Sequence, residues 1–496
     1  MRLLSFTPAY IKLLIGLFVI VIIAVVAVII FYNSKPNCSN CNVILVSLDT
    51  LSALHLPCYG YERDTAPNLC AFASRNLLFK NSYSQSPTTL NSHFSIFTSL
   101  YPQTHKMTRI SGPPLEEKYL TLTQVLRNNG YDTVYNGTLT DLHLPLNKGL
   151  ERGFNIIRGN SNTKSWEGSY KLLEDNSKKG KKTFLFLHTY EVHSPYLTGH
   201  KAKHLYTDQK EYSQIPLTVD EYLKNTPEYI NFVVDYIQSL TKDNRINPLY
   251  YKPYIDKDLV IAAEIKKEKN YNEKLKIYDR LSTPFKDASR ALWFGKIINI
   301  HDATQVEYIK ALYDERITEI DKKLEKLIKL VESPKYSKNT ILIITADHGE
   351  EFMEHNYIYH SENLYKTSTL VPLIMHIPGI QPKKIKELVQ GIDIYPTILS
   401  LLGLKPKSLI EGIDLTGIIR GDRNAATNKY LLSEYNGQLG IQILNWRFYY
   451  DFIKKQLIGL YNLDSDPKER KNVALENKEK VKEFLDLMGK LNISFN

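Results

Sequence analysis

Cysteine is scarce: four residues in a chain of 496, at positions 38, 41, 58 and 70. Cys38-Ser39-Asn40-Cys41 has no second pair of the same spacing behind it, which argues against a structural zinc site. An even number of cysteines outside the cytoplasm permits bridges instead, and Cys38 with Cys41 and Cys58 with Cys70 is the local pairing. Long apolar runs are nearly absent too. Only one, Leu13 to Tyr32, is long enough to cross a bilayer, which excludes a polytopic membrane protein. Dense Lys/Arg blocks and finger spacings are missing, so nucleic acid is not an expected partner. No internal repeat or low-complexity tract appears. What is present is an ordinary globular balance: 43% hydrophobic and 23% charged residues can bury a sizeable core and exclude disorder as the main state. Lys+Arg 63 against Asp+Glu 53 leaves +10, a mild excess compatible with an anionic substrate or surface.

The apolar run LLIGLFVIVIIAVVAVIIFY carries no charge over residues 13–32. At about 1.5 Å per residue it would span about 30 Å, the thickness of a bilayer core. Arg2 and Lys12 precede it, and no acidic residue occurs before Asp49. That bias places the N-terminus in the cytoplasm and the rest outside. The run is longer than a signal-peptide core and lacks a small-x-small site, so it reads as an uncleaved anchor rather than a cleaved signal or a buried core helix. The expected protein is therefore single-pass in the cell membrane, with residues 1–12 cytoplasmic, 13–32 spanning, 33–42 a stalk, and an extracytoplasmic catalytic domain.

Beyond the stalk, strand-like and helix-like segments alternate. Val43-Ile-Leu-Val-Ser-Leu48 is a buried strand with Asp49 at its tip, and Thr183-Phe-Leu-Phe-Leu187 is another, followed by His188 and His193. Thr340-Ile-Leu-Ile-Ile344 is a third, ending just before Asp347-His348. Tyr119 to Asn128 reads as a helix stopped by Gly130, with a strand at Asp132 to Tyr135. Ile309, Leu312, Ile317, Ile320, Leu324, Leu327 and Val331 keep helical spacing. The predicted fold is α/β, a mostly parallel sheet flanked by helices. Ligands of such sheets sit beyond the strands' carboxyl ends, where Asp49, His193 and Asp347-His348 converge. Residues of about 199–300 break the alternation and read as an inserted helical cap within a catalytic domain over 43–428. From 429 to 496, short aromatic runs (YLLSEY, WRFYYDFI, LIGLYNL) predict a small antiparallel sheet.

Asp347-His348-Gly349-Glu350 and Asp49 together offer oxygen and imidazole donors to one divalent cation. The segments VILVSLDTLSALHLPCYGYERDTAPNL, SPTTLNSHFSIFTSLYPQTH, FLHTYEVHSPY, TADHGEEFMEHN and LYNLDSDPKERKNVA resemble, in order, the sulfatase family of the alkaline phosphatase superfamily. That family places its nucleophile thirteen residues before the Pro of the segment written here TSLYP, which is Thr89. Formylglycine-dependent sulfatases need Cys or Ser there, in a motif whose Arg position holds His93 in this chain. Two more departures are Asp49-Thr50, where sulfatases often show paired aspartates, and Asn136-Gly137-Thr138, where their Gly-Lys motif carries lysine. The chain thus resembles the threonine-nucleophile branch, which includes phosphoethanolamine and phosphoglycerol transferases and phosphoesterases.

The resemblance implies Asp49, Thr89, Asp347 and His348 as metal ligands, with Thr89, His193 and His360 catalytic and His93, His193 and His360 contacting substrate. His188 and His355 are candidates for positions behind the ligands, and Glu350 and Glu351 for capping or orienting neighbours. Two carboxylates and an imidazole suit Zn²⁺ or Mn²⁺ better than Ca²⁺, which prefers oxygen. The expected function is a metal-dependent hydrolase or transferase acting on anionic phosphate esters. The alternatives are a sulfuric ester hydrolase and an inactive ligand-binding ectodomain, the latter opposed by retention of the whole ligand set.

Overall fold

Strand β1 (Asn42–Leu48) is buried at every position, and its side chains divide by parity between two cores. Ile44, Val46 and Leu48 enter one, Val43 and Leu45 the other. A computed structural model describes this chain at residues 38–108, 112–137, 148–159, 166–194, 196, 205–206, 227–240, 248–281, 299–360 and 363–491. The membrane helix expected at residues 13–32 lies outside them. Among the described residues no helix is long and apolar enough to cross a membrane. That finding corrects the single-pass placement, which rested on the one segment alone.

After β1 come β2 (Leu77–Tyr83), β3 (Asp132–Gly137), β4 (Ile156–Gly159), β5 (Thr183–Thr189) and β6 (Thr340–Thr345). A two-stranded ribbon, β7 (Glu351–Phe352) and β8 (Ile358–Tyr359), precedes β9 (Leu373–His376) and β10 (Lys383–Gln390). The main sheet runs β10-β2-β9-β6-β1-β5-β3-β4. Every pair is parallel except the two made by β9. Parallel strands joined by helices need cover on both faces, which is why the strands read as unbroken apolar runs. One face packs on the Ala303–Glu332 helix through Ile309, Leu312, Ile317 and Ile320. Phe94 and Phe97 of the Thr89–Thr98 helix cover the other.

Local chemistry sets element ends. The helix expected from Tyr119 starts instead at Leu122, because Thr121 and Gln124 form a reciprocal capping box. Asp321 of the long helix reaches across to accept from Asn68 N (3.0 Å) and Leu69 N (2.7 Å), satisfying the N-terminus of the Pro67–Ser74 helix. Disulfides join Cys38 to Cys41 and Cys58 to Cys70. Between residues 199 and 300 the described elements are the helices Pro227–Leu240, Pro248–Lys267 and Tyr271–Tyr278, which share a small core including Tyr229, Ile230, Val233 and Ile265.

At the C-terminus β11 (Leu431–Tyr435), β12 (Gln438–Ile443), β13 (Trp446–Asp451) and β14 (Gln456–Asn462) form an antiparallel meander. Phe484 of the Lys478–Lys490 helix stacks on Phe448 of β13. Glu434 on β11 is buried; its Oε2 accepts from Gln103 N (3.0 Å), while Oε1 has no hydrogen-bond partner. Burial pushes this carboxyl up from 4.5 to about 8. Across that window the folded chain keeps a proton the unfolded chain has released, so stability falls as pH rises. Glu434→Gln removes the titration. Its melting temperature is expected to fall less than the parent's between about pH 6 and about pH 8, read by thermal denaturation at both.

Candidate active site

Three adjacent parallel strands, β6, β1 and β5, end on one rim. Asp49 follows β1, Asp347-His348 follow β6, and His188 sits at the end of β5 with His193 just beyond. Opposite them Thr89 opens its helix as the first residue after the cap Thr88. Asp49, Asp347, His348 and His188 have no accessible surface, and Thr89 is 4% exposed.

The distances are those of a donor cluster. Thr89 Oγ1 donates to Asp49 Oδ2 at 3.3 Å and lies 3.5 Å from His348 Nε2. His348 Nε2 stands 4.0 Å from Asp49 Oδ1 and 3.6 Å from Asp347 Oδ2. His348 Nδ1–H donates to Gly349 O (3.0 Å), which leaves the lone pair on Nε2, toward the cluster. Residue 349 must be glycine, since a Cβ there would fall 2.1 Å from Thr367 O. Asp49 Oδ1 and Asp347 Oδ2 are buried with no hydrogen-bond partner. Asp49, Asp347 and His348 each offer an atom within 4.8 Å of the others. Two orphaned carboxylate oxygens facing an imidazole lone pair fit a divalent cation.

Charge agrees. Burial pushes the Asp49 carboxyl well up, and Asp347 adds to the effect. Burial opposes ionisation of Asp347 too, but His348, His93 and His188 outweigh it and hold that carboxyl below the usual range.

The turn after Asp49 is strained and held. Thr50 adopts φ 61°, a left-handed conformation costing a β-branched residue about 1–3 kcal/mol. Its N–H donates to Asp347 Oδ1 (3.2 Å), and its carbonyl accepts from Tyr313 Oη (2.7 Å). The same Oη accepts from Ser52 N (2.9 Å). Tyr313→Phe frees this turn while keeping the ring packed, and is expected to weaken divalent-cation affinity about 10-fold by competition with a chelating dye.

On the other side His193 Nδ1–H donates to Ser194 O (2.6 Å), and His360 Nδ1 pairs with Glu350 Oε1 (2.9 Å). Their rings meet at 4.9 Å, and His360 lies 4.6 Å from the His348 ring. Burial pulls His193 down to about 3 and His360 to about 4, while it pushes Glu350 up to about 8. Tyr196 Oη donates to Glu350 Oε2 (2.8 Å).

The structure therefore brings Asp49, Thr89, Asp347, His348, His193 and His360 together. The ring of His93 lies beside this group, its Nδ1 3.7 Å from Asp347 Oδ2. It is fully buried, with Nδ1–H donating to Thr89 O (2.8 Å) and Nε2 accepting from Ser47 Oγ (3.0 Å), bonds that hold the start of the Thr89 helix. His355 lies away from the cluster, bonded to Glu351 (2.6 Å) and Lys468 O (3.0 Å) and stacked on Tyr365. Glu351 also accepts from Thr367 and Asn363 and serves the ribbon. His188 is closer than expected, its Nε2 3.3 Å from Asp49 Oδ2. Period two could have shown this: His188 shares a face of β5 with Phe184 and Phe186, the face covered by the Thr89 helix.

Comparisons with known proteins agree with this architecture. A family model described as Sulfatase matches residues 41–404, and one described as N-sulphoglucosamine sulphohydrolase, C-terminal, matches residues 353–492. A Delta 4,5-hexuronate-2-O-sulfatase of Bacteroides thetaiotaomicron is 29% identical over 170 residues, 32% of this chain and 35% of that protein. Mouse arylsulfatase K is 30% identical over 190 residues, 35% and 34% of the two chains. The chain thus spans about a third of the length of the curated relatives it matches. In fold, a protein solved in complex with its substrate D-glucosamine-2-N,6-O-disulfate superposes with TM-score 0.62 at 16% identity, covering 91% of this chain and 97% of the other. The phosphonate monoester hydrolase of Agrobacterium radiobacter does so with TM-score 0.62 at 16% identity, covering 91% and 95%.

Proposed function

The chain belongs to the sulfatase family, and on that premise we propose that it is a metal-dependent hydrolase of sulfuric esters whose nucleophile is Thr89. The observation that carries the reading is the placement of Thr89 Oγ1, 3.3 Å from Asp49 Oδ2 and 3.5 Å from His348 Nε2 at a buried rim. Because the curated relatives are sulfatases, sulfate moves ahead of the phosphate esters that Thr89 alone suggested. The catalytic body is read as residues 43–428 and the C-terminal subdomain as 429–496.

Asp49, Asp347 and His348, with Thr89 Oγ1, would hold the cation. When bound, it would lower the hydroxyl pKa and neutralise charge on a non-bridging oxygen. The chain's own residues do the rest. Thr89 Oγ1 passes its proton to Asp49 Oδ2, to which it already donates, attacks sulfur and forms an O–S bond as the bond from sulfur to the leaving alkoxide breaks. Burial keeps His193 and His360 neutral until an anionic ester enters; its charge favours the imidazolium, which gives its proton to the leaving oxygen. Water then gives a proton to the imidazole left neutral by the first step and attacks the sulfur of the sulfated threonine, releasing sulfate as Asp49 returns its proton to Thr89 Oγ1. The start of a ten-residue helix at Thr89 places its positive end near developing negative charge.

One observation favours a second reading, phosphoester hydrolysis or transfer. Residue 89 is a plain hydroxyl, so release requires a second displacement at the central atom, a step open to phosphorus as well as sulfur. Aryl sulfates, phosphate monoesters, phosphodiesters and phosphonates, each assayed with Zn²⁺, Mn²⁺ and Ca²⁺, separate the two. Sulfated sugars are the natural esters to add, since a hexuronate sulfatase is among the relatives. Highest kcat/KM on sulfates supports the first reading, and highest on phosphoesters the second. No turnover by metal-loaded protein contradicts both.

A further inference from the structure

His188 is a buried imidazole that the proposed mechanism does not use. Neither ring nitrogen makes a hydrogen bond, a costly state for a side chain with no accessible surface. Its ring is fixed, stacked on Phe186 with 9° between planes and met edge-on by His93 at 4.7 Å and Tyr190 at 5.0 Å. The backbone has made room for it. A Cβ on Gly137 would fall 2.7 Å from His188 Cβ, so only glycine at 137 lets β3 approach β5 there.

Nε2 lies 3.3 Å from Asp49 Oδ2, close enough for both atoms to bind one cation at about 2.0–2.1 Å, with His188 a fifth protein donor beside Asp49, Thr89, Asp347 and His348. His188 and Asp347, together with His93, offer atoms within 4.8 Å of one another. Of the two histidines, His93 has both nitrogens engaged with Thr89 O and Ser47 Oγ, so His188 is the one with a lone pair to give. Position 50, where a second carboxylate would add a charged oxygen donor, is threonine, whose hydroxyl is buried without a hydrogen-bond partner but carries no charge.

We infer that His188 is a further protein ligand of the divalent cation, filling the shell that Thr50 leaves short and biasing the site toward zinc over calcium. The inference rests on the metal-dependent reading above. Two carboxylates with two imidazoles form a nitrogen-rich set, which suits Zn²⁺ and disfavours Ca²⁺, a cation that prefers six to eight oxygens.

The test is equilibrium titration of the purified full-length protein with Zn²⁺, Ca²⁺ and Co²⁺, comparing the parent with His188→Gln, Gly137→Ala and Asp347→Asn. Zinc affinity is expected to fall about 100-fold in His188→Gln and about 10-fold in Gly137→Ala, which keeps the imidazole but displaces it. Calcium affinity stays within about 3-fold, and the visible Co²⁺ bands of His188→Gln shift as a nitrogen donor is lost. Zinc affinity and Co²⁺ bands unchanged in His188→Gln, while Asp347→Asn no longer binds, would overturn the inference and leave the metal site standing. A parent that binds none of the three ions would remove the reading beneath it.

Discussion

Thr89→Ala is expected to lower kcat by about 10⁴-fold or more on any ester the enzyme turns over, because the group that attacks is gone. The fold should not follow. Thr88 remains as the cap, Leu90 and Phe94 keep the helix packed, and the contacts of Thr89 Oγ1 with Asp49 and His348 are long, at 3.3 and 3.5 Å. Far-ultraviolet circular dichroism and melting temperature should match the parent, with about 1 kcal/mol or less lost in stability. Thr89→Ser keeps the hydroxyl and should retain a measurable rate, which a purely structural role for residue 89 would not predict. Turnover by the alanine variant near the parent rate would reject the nucleophile.

Asp347→Asn is expected to act in opposite directions on binding and stability. Asparagine can still accept from Thr50 N and His348 N through Oδ1, the two bonds that aspartate makes there at 3.2 and 2.9 Å. It loses the charge on Oδ2, the buried atom with no partner. Cation affinity should fall at least about 100-fold and activity with it. The metal-free variant should nonetheless melt at the parent's temperature or above, because the second carboxylate no longer shares one dry site with Asp49. For the parent, saturating cation should raise stability by about 2.7 kcal/mol at a hundred times its Kd. Differential scanning calorimetry with and without chelator reads both effects. A metal-free variant much less stable than the parent would mean that Asp347 is a structural acid rather than a ligand.

The strand ends were legible because unbroken apolar runs in a parallel sheet leave little choice about where a carboxylate at the tip must go. Asp49, His193 and Asp347-His348 followed from that alone. The antiparallel C-terminal meander was equally open, its aromatic runs spaced as strands. What could not be read was pairing set by tertiary packing. Tyr313 reaches Thr50 across 263 residues, and nothing in the long helix's periodicity marks its hydroxyl as a clamp. His93 stands where the family motif has arginine, and nothing in the sequence marks its i,i+4 bond back to Thr89 O or its bond to Ser47, which together engage both nitrogens. Strand parity puts His188 on the Phe184 and Phe186 face of β5, but how near it comes to Asp49 depends on the parallel pairing of β1 with β5. The membrane placement rested on one apolar run and its flanking charges, and no helix among the described residues is long and apolar enough to cross a membrane.

The central claim is that Thr89 carries the transferred group between two displacements. Rapid acid quench during steady-state turnover of an aryl sulfate, followed by intact-mass and peptide mass spectrometry, measures it directly. The account predicts a fraction of the chain heavier by one sulfuryl group, with the added mass confined to the peptide containing Thr89 and absent from Thr89→Ala. Turnover at full rate with no adduct on that peptide at any quench time, or an adduct on another residue, would contradict it.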